Sequence, residues 1–450
     1  MHFDFLLEGF EQRRAESAIG WKDATYSYGW LLDRITEFEK RLEAEDGIAH
    51  SVVSLEGDYS PHTIAALFAL IKLSSIIVPM DGNIPEAKRT EMLGVAEART
   101  RVRAGEDGIE VISLDAEPPV NRWLDHLRQE RAPGLVLFSS GSTGKSKAAV
   151  HHAGRLLWKF RLARSAKRTI PFMMFDHIGG LNTMLQSLAG GGCLYILQDR
   201  SPYEVCRTIE AHRIQALPVS PTFMNLLLLS GVHAEFDLSS LEVVSYGSEV
   251  MPESTLTAWK ERFPSVRTVQ AYGMSELGVL RTKSRTDDSL HFSLADDGVQ
   301  YRIVDGMLEI KTATAMLGYL NAPDPFTSDG WLMTGDMAVE EGGFLRILGR
   351  RSDLINVGGE KVYPAEVESV LQLIANIEEV AVSGEPSAIT GQIVKATVKL
   401  QGEESLKELR GRIWEFCKDK LPAWKIPQKI VITNDSMTSE RMKKVRISQK

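Results

Sequence analysis

Cysteine is scarce in this sequence, with three residues in a chain of 450, at positions 193, 206 and 417. Their wide spacing matches neither zinc-binding nor dithiol redox motifs, and an odd, sparse set offers no disulfide framework. We therefore expect three buried thiols that behave as small apolar side chains in a reducing compartment.

Long uninterrupted apolar stretches are also missing. The longest, residues 64–80, is broken by lysine, serine and proline and is too short for a membrane helix. The first residues, MHFDFLLE, carry early acids and lack the basic region of a secretory signal. We therefore expect a cytoplasmic protein without a membrane span.

Positive charge is not in excess. Lysine and arginine total 52 against 60 acidic residues, a formal net charge of -8, which argues against nucleic acid as the main partner. The hydrophobic content of 43% and charged content of 25% are those of an ordinary globular protein. A chain of 450 residues is long enough for two or more domains.

What the sequence does contain is an apolar strand, residues 135–138, that runs into the loop SSGSTGKSK at residues 139–147. Glycine lets the backbone approach a ligand closely, while hydroxyls, backbone N–H groups and lysines can hold phosphate oxygens. The end of this loop fits the Walker A pattern, but Ser139 stands where its first glycine is required. A P-loop NTPase therefore remains an alternative, and a solvated linker is disfavoured by the abrupt apolar strand before it.

The order of apolar segments predicts an α/β fold. Helical and strand-like segments alternate through residues 1–130, which indicates βα units and a mainly parallel sheet. From about residue 353 the segments alternate afresh over roughly 100 residues, enough for a compact α+β domain. We therefore predict a large domain, residues 1–349, and a small C-terminal domain, residues 350–450.

Three further strands end in short loops of small and acidic residues. The first leads to Asp176 and His177, the second to residues 247–249 (GSE), and the third to residues 272–276 (YGMSE). Ligands bind at the carboxyl ends of parallel strands. The three loops therefore predict one convergent binding face.

The side chains in these loops each allow two interpretations. Tyr272 could stack on a base or be a core aromatic. Glu276 could bind Mg²⁺ beside a phosphate loop or be a surface charge. His177 and Asp176 could face a substrate pocket, or Asp176 could cap the following helix. Asp336, after a turn, could accept two ribose hydroxyls.

Jointly these motifs resemble those of the acyl-adenylate-forming superfamily, which contains acyl- and aryl-CoA ligases, peptide-synthetase adenylation domains and luciferases. Residues 140–148 (SGSTGKSKA) resemble its phosphate loop S-G-T-T-G-x-P-K-G, and residues 272–276 its Y-G-x-T-E. Residues 334–336 (TGD) resemble its T-G-D, residues 349–359 its hinge run, and residues 421–427 (LPAWKIP) a motif of its small domain. Order and spacing agree from residue 135 to residue 450.

The resemblance implies a large, multi-layered N-terminal domain and a small C-terminal domain that moves about a hinge near Ser352. It also implies residues that hold nucleotide or coenzyme A. They form a phosphate loop (Ser139, Ser140, Gly141, Ser142, Thr143, Gly144 and Lys147), two loops beside the adenine (Gly247, Ser248, Glu249, Tyr272, Gly273, Met274 and Ser275), a ribose pair (Asp336 and Arg350) and the pantetheine-facing Gly359.

Three catalytic residues follow from the same resemblance. Glu276 is expected to bind Mg²⁺, and His177 matches the pocket histidine of acyl- and aryl-CoA ligases. A C-terminal lysine is expected to bridge the carboxylate and the α-phosphate. Lys444 is preferred to Lys443 because a valine follows it, as in the family pattern G-K-[IV], although the usual glycine is missing. Two further departures are Ala148 for a glycine and Ser352 for the usual hinge Asp or Lys.

The implied function is ATP-dependent activation of a carboxylic acid to acyl-AMP, followed by thioester formation. ATP, Mg²⁺ and coenzyme A are the expected cofactors. The alternatives are a stand-alone adenylase that loads a carrier-protein phosphopantetheine and, from another class, a P-loop-like NTPase or a nucleotide-binding regulatory module.

The acid itself is expected to be aryl or aliphatic. Its predicted pocket lies between His177, residues 179–180, residues 246–247 and residues 274–279, which are largely apolar. Alternatively, Asp176 could pair with the ammonium group of an amino acid.

Overall fold

The computed structural model describes residues 3–114, 120–139, 146–162, 165–296, 298–439 and 442–445. Five predicted phosphate-loop residues lie outside the described residues: Ser140, Gly141, Ser142, Thr143 and Gly144.

Helices and strands are numbered here in chain order within those residues. The α-helices are α1 (Asp4–Gln12), α2 (Tyr28–Glu43), α3 (Pro61–Lys72), α4 (Glu86–Val95), α5 (Arg122–Gln129), α6 (Ala153–Leu157), α7 (Ile178–Ala189), α8 (Pro202–His212), α9 (Pro221–Ser230), α10 (Glu253–Arg262), α11 (Pro364–Leu371) and α12 (Leu406–Cys417). The β-strands are β1 (Ser17–Trp21), β2 (Ala24–Ser27), β3 (Val52–Glu56), β4 (Ile76–Met80), β5 (Thr100–Gly105), β6 (Gly108–Ser113), β7 (Gly134–Ser139), β8 (Lys147–His152), β9 (Arg168–Thr169), β10 (Cys193–Ile196), β11 (Ala216–Val219), β12 (Val243–Tyr246), β13 (Arg267–Gln270), β14 (Tyr272–Met274), β15 (Gly278–Leu280), β16 (Thr282–Ser284), β17 (Phe292–Leu294), β18 (Gln300–Val304), β19 (Met307–Lys311), β20 (Gly318–Tyr319), β21 (Leu332–Glu341), β22 (Phe344–Arg350), β23 (Ile355–Val357), β24 (Glu360–Val362), β25 (Ile377–Ser387), β26 (Gly391–Leu400) and β27 (Lys429–Ile432).

The first sheet of the large unit is built from βα units, as predicted. Its strands lie in the order β20-β8-β7-β4-β3-β5-β6, and β7, β4, β3 and β5 are parallel. β3 and β4 are buried along their whole length, which explains their near-continuous apolar sequences. The helix that joins them, α3, begins where Ser60 accepts a hydrogen bond from the Thr63 N–H and Pro61 occupies the first turn.

The second sheet carries the predicted binding loops on neighbouring strands. Its order is β13-β12-β11-β9-β10-β1-β2, and it is parallel except for the hairpin of β1 and β2. Successive side chains of β12 point to opposite faces, so Val244 and Tyr246 are buried in a core shared with α8, α9 and α10. Because β11, β12 and β13 are parallel neighbours, the loops that follow them leave the same edge of the sheet.

A third, six-stranded sheet is antiparallel and was not predicted. Its order is β16-β17-β22-β21-β19-β18, and its tight turns use Gly306 and Gly343 at positive φ. Its strands are short or mixed in polarity, so they give no clear period along the sequence. The pairing of β21 with β22 places Asp336 directly opposite Arg350.

The chain leaves the third sheet at Arg350. A short 3₁₀ helix, Arg351–Asp353, leads into a separate sheet of β24-β23-β26-β25, with β27 parallel to β26. This sheet shares its own apolar core with α11 and α12. That the two units move as separate domains stays a prediction. In the described part of the chain, no helix is both long and apolar enough to cross a membrane.

Candidate active site

A cavity of about 610 Å³ lies between the large and small units. The loops after β11, β12 and β13 contribute to it from the large unit. From the small unit, α11 contributes together with Met437, Thr438, Lys443 and Lys444. Seven of the predicted site residues line it: Ser248, Glu249, Tyr272, Gly273, Asp336, Arg350 and Lys444. The sequence motifs therefore converge in space, although they span about half of the chain.

One residue of the cavity lining is a buried carboxylate, Asp336. Tyr272 donates its hydroxyl to Asp336 Oδ2 at 2.7 Å, and Arg350 Nε lies 2.9 Å from Asp336 Oδ1. Arg350 Nη1 also donates to the Thr334 carbonyl at 2.9 Å. Burial raises the pKa of Asp336, while the Arg350 charge and the Tyr272 hydrogen bond act in the opposite direction. The result is an oriented carboxylate that can accept further hydrogen bonds from hydroxyl groups.

The surroundings of Tyr272 favour a core aromatic over a ring that stacks on a base. Its side chain is buried, and its ring stacks on Phe292 with 5.8 Å between ring centroids. Burial raises the pKa of Tyr272 well above its usual value, so the phenol remains a donor to Asp336. The structure therefore gives Tyr272 a role in orienting the carboxylate.

Two glycines of the predicted adenine loops lie very close to the backbone of neighbouring segments. A Cβ on Gly247 would lie 2.7 Å from the Ala271 carbonyl oxygen, and one on Gly273 would lie 2.5 Å from the Gly278 carbonyl oxygen. A larger residue at position 247 would push the loops after β12 and β13 apart, and one at position 273 would force β14 away from β15. The glycines are therefore required by the packing of the loops themselves.

Glu276 lies in the turn between β14 and β15 and accepts a hydrogen bond from the Tyr319 hydroxyl. The Tyr319 ring lies 5.5 Å from Lys147 Nζ, so Tyr319 connects Glu276 to the end of the phosphate loop. Burial and then the charge of Glu276 raise the pKa of Tyr319, which keeps its hydroxyl protonated.

The ends of the phosphate loop are fixed although the loop itself lies outside the described residues. Ser139 pairs with Lys147 across the antiparallel strands β7 and β8. Asn321 accepts from the Ala148 N–H at 3.0 Å and donates to the Ser146 carbonyl at 2.9 Å. Sequence reasoning missed Tyr319 and Asn321, since no local motif marks them.

A metal at this site would depend on a single carboxylate. Among the described residues, no group of three or more His, Cys, Asp or Glu side chains is arranged to hold a metal ion. Mg²⁺ is commonly bound by one or two carboxylates plus phosphate oxygens and water. Glu276, beside the loop that ends at Lys147, therefore fits a nucleotide-bound Mg²⁺ and does not fit an all-protein metal cage.

A buried histidine supports the turn that carries Glu276. His151 Nε2 is hydrogen-bonded to the Ser275 carbonyl, and burial lowers the pKa of His151 to about 4. The ring is therefore neutral at neutral pH and donates from Nε2. His151 is a third functional residue that sequence reasoning missed, because its partner lies 124 positions away.

His177 forms the N-cap of α7. Its Nδ1 accepts from the Gly179 N–H at 3.0 Å, and its Nε2 lies 3.0 Å from Lys443 Nζ. The interpretation of Asp176 as the helix cap is wrong, since the neighbouring His177 does the capping. Asp176 is buried, with 5% of its surface exposed.

The two candidate lysines are adjacent in the chain and reach different partners. Lys443 reaches His177, whereas Lys444 Nζ donates to Glu368 Oε2 on α11 at 3.2 Å. The Lys444 backbone N–H donates to Glu249, which also accepts from the Thr222 hydroxyl at 2.7 Å. Lys444 is thus held toward the small unit, and Lys443 extends toward the start of α7.

Gly359 is exposed in the turn between β23 and β24, with φ of 95°. It is not among the described residues that line the 610 Å³ cavity.

A second cavity, of about 520 Å³, lies between α7 and the second sheet and meets the first at Ala271. Of the residues predicted to form the acid pocket, only Val279 is among the described residues that line this cavity. Tyr246 is 2% exposed and packs on the opposite face of β12, because side chains alternate along a strand. The lining is also less apolar than predicted, since it includes Asn182 and Gln186 of α7 and several basic side chains.

Taken together, the fold and the site define an adenylate-forming enzyme. A buried carboxylate, Asp336, its partner Arg350 and the lysines 443 and 444 of the small unit line one cavity. The chain belongs to the AMP-binding enzyme family: the family model matches residues 8–320, and the model of the AMP-binding enzyme C-terminal domain matches residues 366–444.

Curated relatives agree with this assignment. Indoleacetate–CoA ligase of Aromatoleum aromaticum is 26% identical over 96% of this chain and 94% of its own length. The 3-[(3aS,4S,7aS)-7a-methyl-1,5-dioxo-octahydro-1H-inden-4-yl]propanoyl:CoA ligase of Mycobacterium tuberculosis is 30% identical over 66% of this chain and 61% of its own. The predicted superfamily is confirmed, and so is the enzyme class, an AMP-forming acid–thiol ligase.

Solved structures share the fold. The anthranilate CoA ligase AuaEII in complex with anthranoyl-AMP has a TM-score of 0.83 at 19% identity, covering 98% of this chain and 95% of that chain. ATP-bound MatB from Rhodopseudomonas palustris has a TM-score of 0.81 at 21% identity, covering 98% and 96%. The predicted large α/β domain with a smaller C-terminal domain is thereby confirmed as the fold class.

Proposed function

We propose that this protein activates a small carboxylic acid with ATP and transfers the acyl group to coenzyme A. In the first step a carboxylate oxygen attacks the α-phosphorus of ATP and pyrophosphate leaves, giving acyl-AMP. In the second, the CoA thiol loses its proton and displaces AMP, giving the thioester. The relatives support CoA as acceptor, because those named above and 2-succinylbenzoate–CoA ligase of Listeria monocytogenes are CoA ligases.

The observation that carries this proposal is the contact between Lys443 and His177. It brings a cation from the small unit to the N-terminus of α7, at the cavity that also contains Asp336. Negative charge grows on the α-phosphoryl oxygens as the carboxylate attacks, and a fixed cation stabilises that charge more in the transition state than before it. Lys443, not Lys444, is therefore our candidate for the activating lysine.

The nucleotide is proposed to lie across the 610 Å³ cavity. Asp336, oriented by Arg350, would accept the ribose hydroxyls, and the loop that starts at Ser139 and ends at Lys147 would hold the β- and γ-phosphates. A Mg²⁺ ion at Glu276 would offset charge on the phosphate oxygens. No side-chain nucleophile is required, because positioning and charge stabilisation suffice for this reaction.

The second step is proposed to need a rotation of the small unit about residues 351–353. Lys443 leaves the site and the exposed Gly359 turn approaches it. The 3₁₀ helix at the junction has Ser352 donating to its neighbour Asp353 at 2.9 Å, a local bond that a rotation can retain or exchange. Hinge motions of this kind are carried by a few residues at the ends of elements.

An exchange assay tests the first half-reaction. The purified protein, with ATP, Mg²⁺ and labelled pyrophosphate, is offered a panel of carboxylic acids, and acid-dependent formation of labelled ATP is the expected result. ATP hydrolysis that does not depend on the acid would instead indicate an NTPase. ATP binding without exchange or hydrolysis would indicate a regulatory module.

A second assay identifies the acceptor. With an acid that supports exchange, CoA and a phosphopantetheinylated carrier protein are compared as acceptors, and thioester is expected with CoA. Thioester on the carrier alone would favour the stand-alone adenylase.

A further inference from the structure

We propose that Ser220 and Glu249 of the large unit are positioning residues for the activating lysine, Lys443. Each binds a backbone group next to Lys443, so the chain on both sides of this lysine is held at the cavity. The inference rests on the proposed acid activation by Lys443 and adds two residues that act through it.

Ser220 holds the residue before Lys443. Its hydroxyl donates to the Met442 carbonyl and accepts from the Phe223 N–H at 3.1 Å, which is the N-cap bond of α9. Because the helix uses the acceptor side of this hydroxyl, the donor side has a fixed direction. Ser220 is fully buried, so this bond is shielded from water.

Glu249 holds the residue after Lys443. Its Oε1 accepts from the Lys444 N–H, while Oε2 accepts from the Thr222 N–H at 3.2 Å and from the Thr222 hydroxyl at 2.7 Å. Thr222 lies two residues after Ser220, so both side chains act at the N-terminal turn of α9, where a carboxylate is favoured. Both oxygens of Glu249 thus have partners within the protein, whereas the sequence predicted a place beside the adenine.

Met442 adds an apolar contact to the same attachment. Its side chain packs against the core of the large unit that includes β12, α8, α9 and α10. Its backbone is left-handed, with φ of 51°, a conformation that residues other than glycine adopt only where surrounding contacts stabilise it. The bond from Ser220 and the packing of the side chain are contacts of that kind.

This attachment has different consequences for the two half-reactions. An ammonium that is already in place when the carboxylate attacks needs no reordering of the chain in the transition state. The contacts join the large unit to the C-terminal segment, so the rotation proposed for thioester formation breaks them. Their loss should therefore slow acyl-AMP formation and spare thioester formation from supplied acyl-AMP.

Two variants test this inference through the separate half-reactions. Ser220→Ala removes the donor to Met442, and Glu249→Gln replaces one acceptor oxygen by an amide group that cannot accept. We expect each to lower kcat for pyrophosphate exchange by about tenfold, the effect of losing one hydrogen bond, with KM for ATP and the thioester step unchanged. Ser230→Ala, at the other end of α9, is the matched control, because its hydroxyl donates within the helix to the Leu227 carbonyl at 2.9 Å.

Other results of these measurements would overturn the inference. A raised KM for ATP with unchanged kcat in Glu249→Gln would place Glu249 at the nucleotide. Equal losses in both half-reactions would indicate a merely structural role. Wild-type exchange in both variants would refute the positioning role and leave acid activation standing, whereas a wild-type protein that exchanges with no acid would refute acid activation itself.

A double-mutant cycle with Lys443→Met then shows whether the two side chains act through the lysine. In the Lys443→Met background, Ser220→Ala and Glu249→Gln should cause no further loss of the residual exchange. A further loss as large as in the wild-type background would overturn the inference. Glu249→Gln leaves the Ser220 cap of α9 in place, so its cycle decides the outcome even if Ser220→Ala lowers the unfolding temperature.

Discussion

Replacing Lys443 and Lys444 in turn by methionine separates the roles that the structure suggests for them. Lys443→Met keeps an unbranched stem of four atoms but removes the cation that lies 3.0 Å from His177 Nε2. A donor that stabilises transition-state charge is worth about 3–4 kcal/mol, so acyl-AMP formation should fall about 10² to 10³-fold. Thioester formation from supplied acyl-AMP should be nearly unchanged, because the rotation we propose for that step takes Lys443 out of the site.

Lys444→Met should have a different effect. It removes a bond of 3.2 Å to Glu368, which is 2% exposed but also accepts from the Val382 N–H at 2.9 Å. Loss of one hydrogen bond to a charged group costs about 1–3 kcal/mol. We expect this cost to weaken the attachment of residues 442–445 to α11. Pyrophosphate exchange and thioester formation from acyl-AMP are measured separately for both variants. If Lys444→Met abolished exchange while Lys443→Met retained it, our assignment would be reversed.

Three further predictions concern stability. Tyr272→Phe removes the hydroxyl that donates to Asp336 and should lower the free energy of unfolding in urea by about 1–3 kcal/mol; an unchanged value would contradict the importance of that bond. Gly180→Ala places a Cβ against backbone oxygens and should lower the melting temperature, whereas Gly94→Ala, with open space around it, should not. His151 stays neutral when folded because its pKa is about 4 against an ordinary 6.5, so its contribution is present above pH 6.5 and is lost toward pH 4. Between these pH values the unfolded chain binds a proton at His151 and the folded chain does not, which lowers the free energy of unfolding by about 3 kcal/mol at pH 4. His151→Gln should therefore show a correspondingly flatter dependence of that free energy on pH.

Much of the site could be predicted because its motifs are local. The loops at residues 247–249 and 272–276 follow apolar strands, and parallel neighbouring strands bring such loops together. Asp336 and Arg350 were predicted for the same reason, as parts of short motifs at strand ends. The confirmed family follows from the order of those motifs along the chain.

The features of the site that could not be predicted depend on contacts between residues far apart in the sequence, or on which face of a strand a side chain occupies. Asn321 holds the phosphate loop from 173 positions away, and Tyr319 reaches Glu276 from 43 positions away. Tyr246 was placed in the acid pocket because it adjoins Gly247, but strand alternation turns it into the opposite core. The separate contacts of the neighbours Lys443 and Lys444, with His177 and with Glu368, likewise depend on register, and which lysine activates the acid stays a prediction.

The most direct test of acyl-AMP formation uses an acid that supports exchange, labelled with ¹⁸O in its carboxylate. The attacking oxygen becomes the bridge to the α-phosphorus, and it stays with AMP when the thiol displaces the acyl group. Mass spectrometry of the products should therefore find one ¹⁸O in each AMP and the remaining label in the thioester. Unlabelled AMP, or ADP as the product, would contradict attack of the carboxylate on the α-phosphorus.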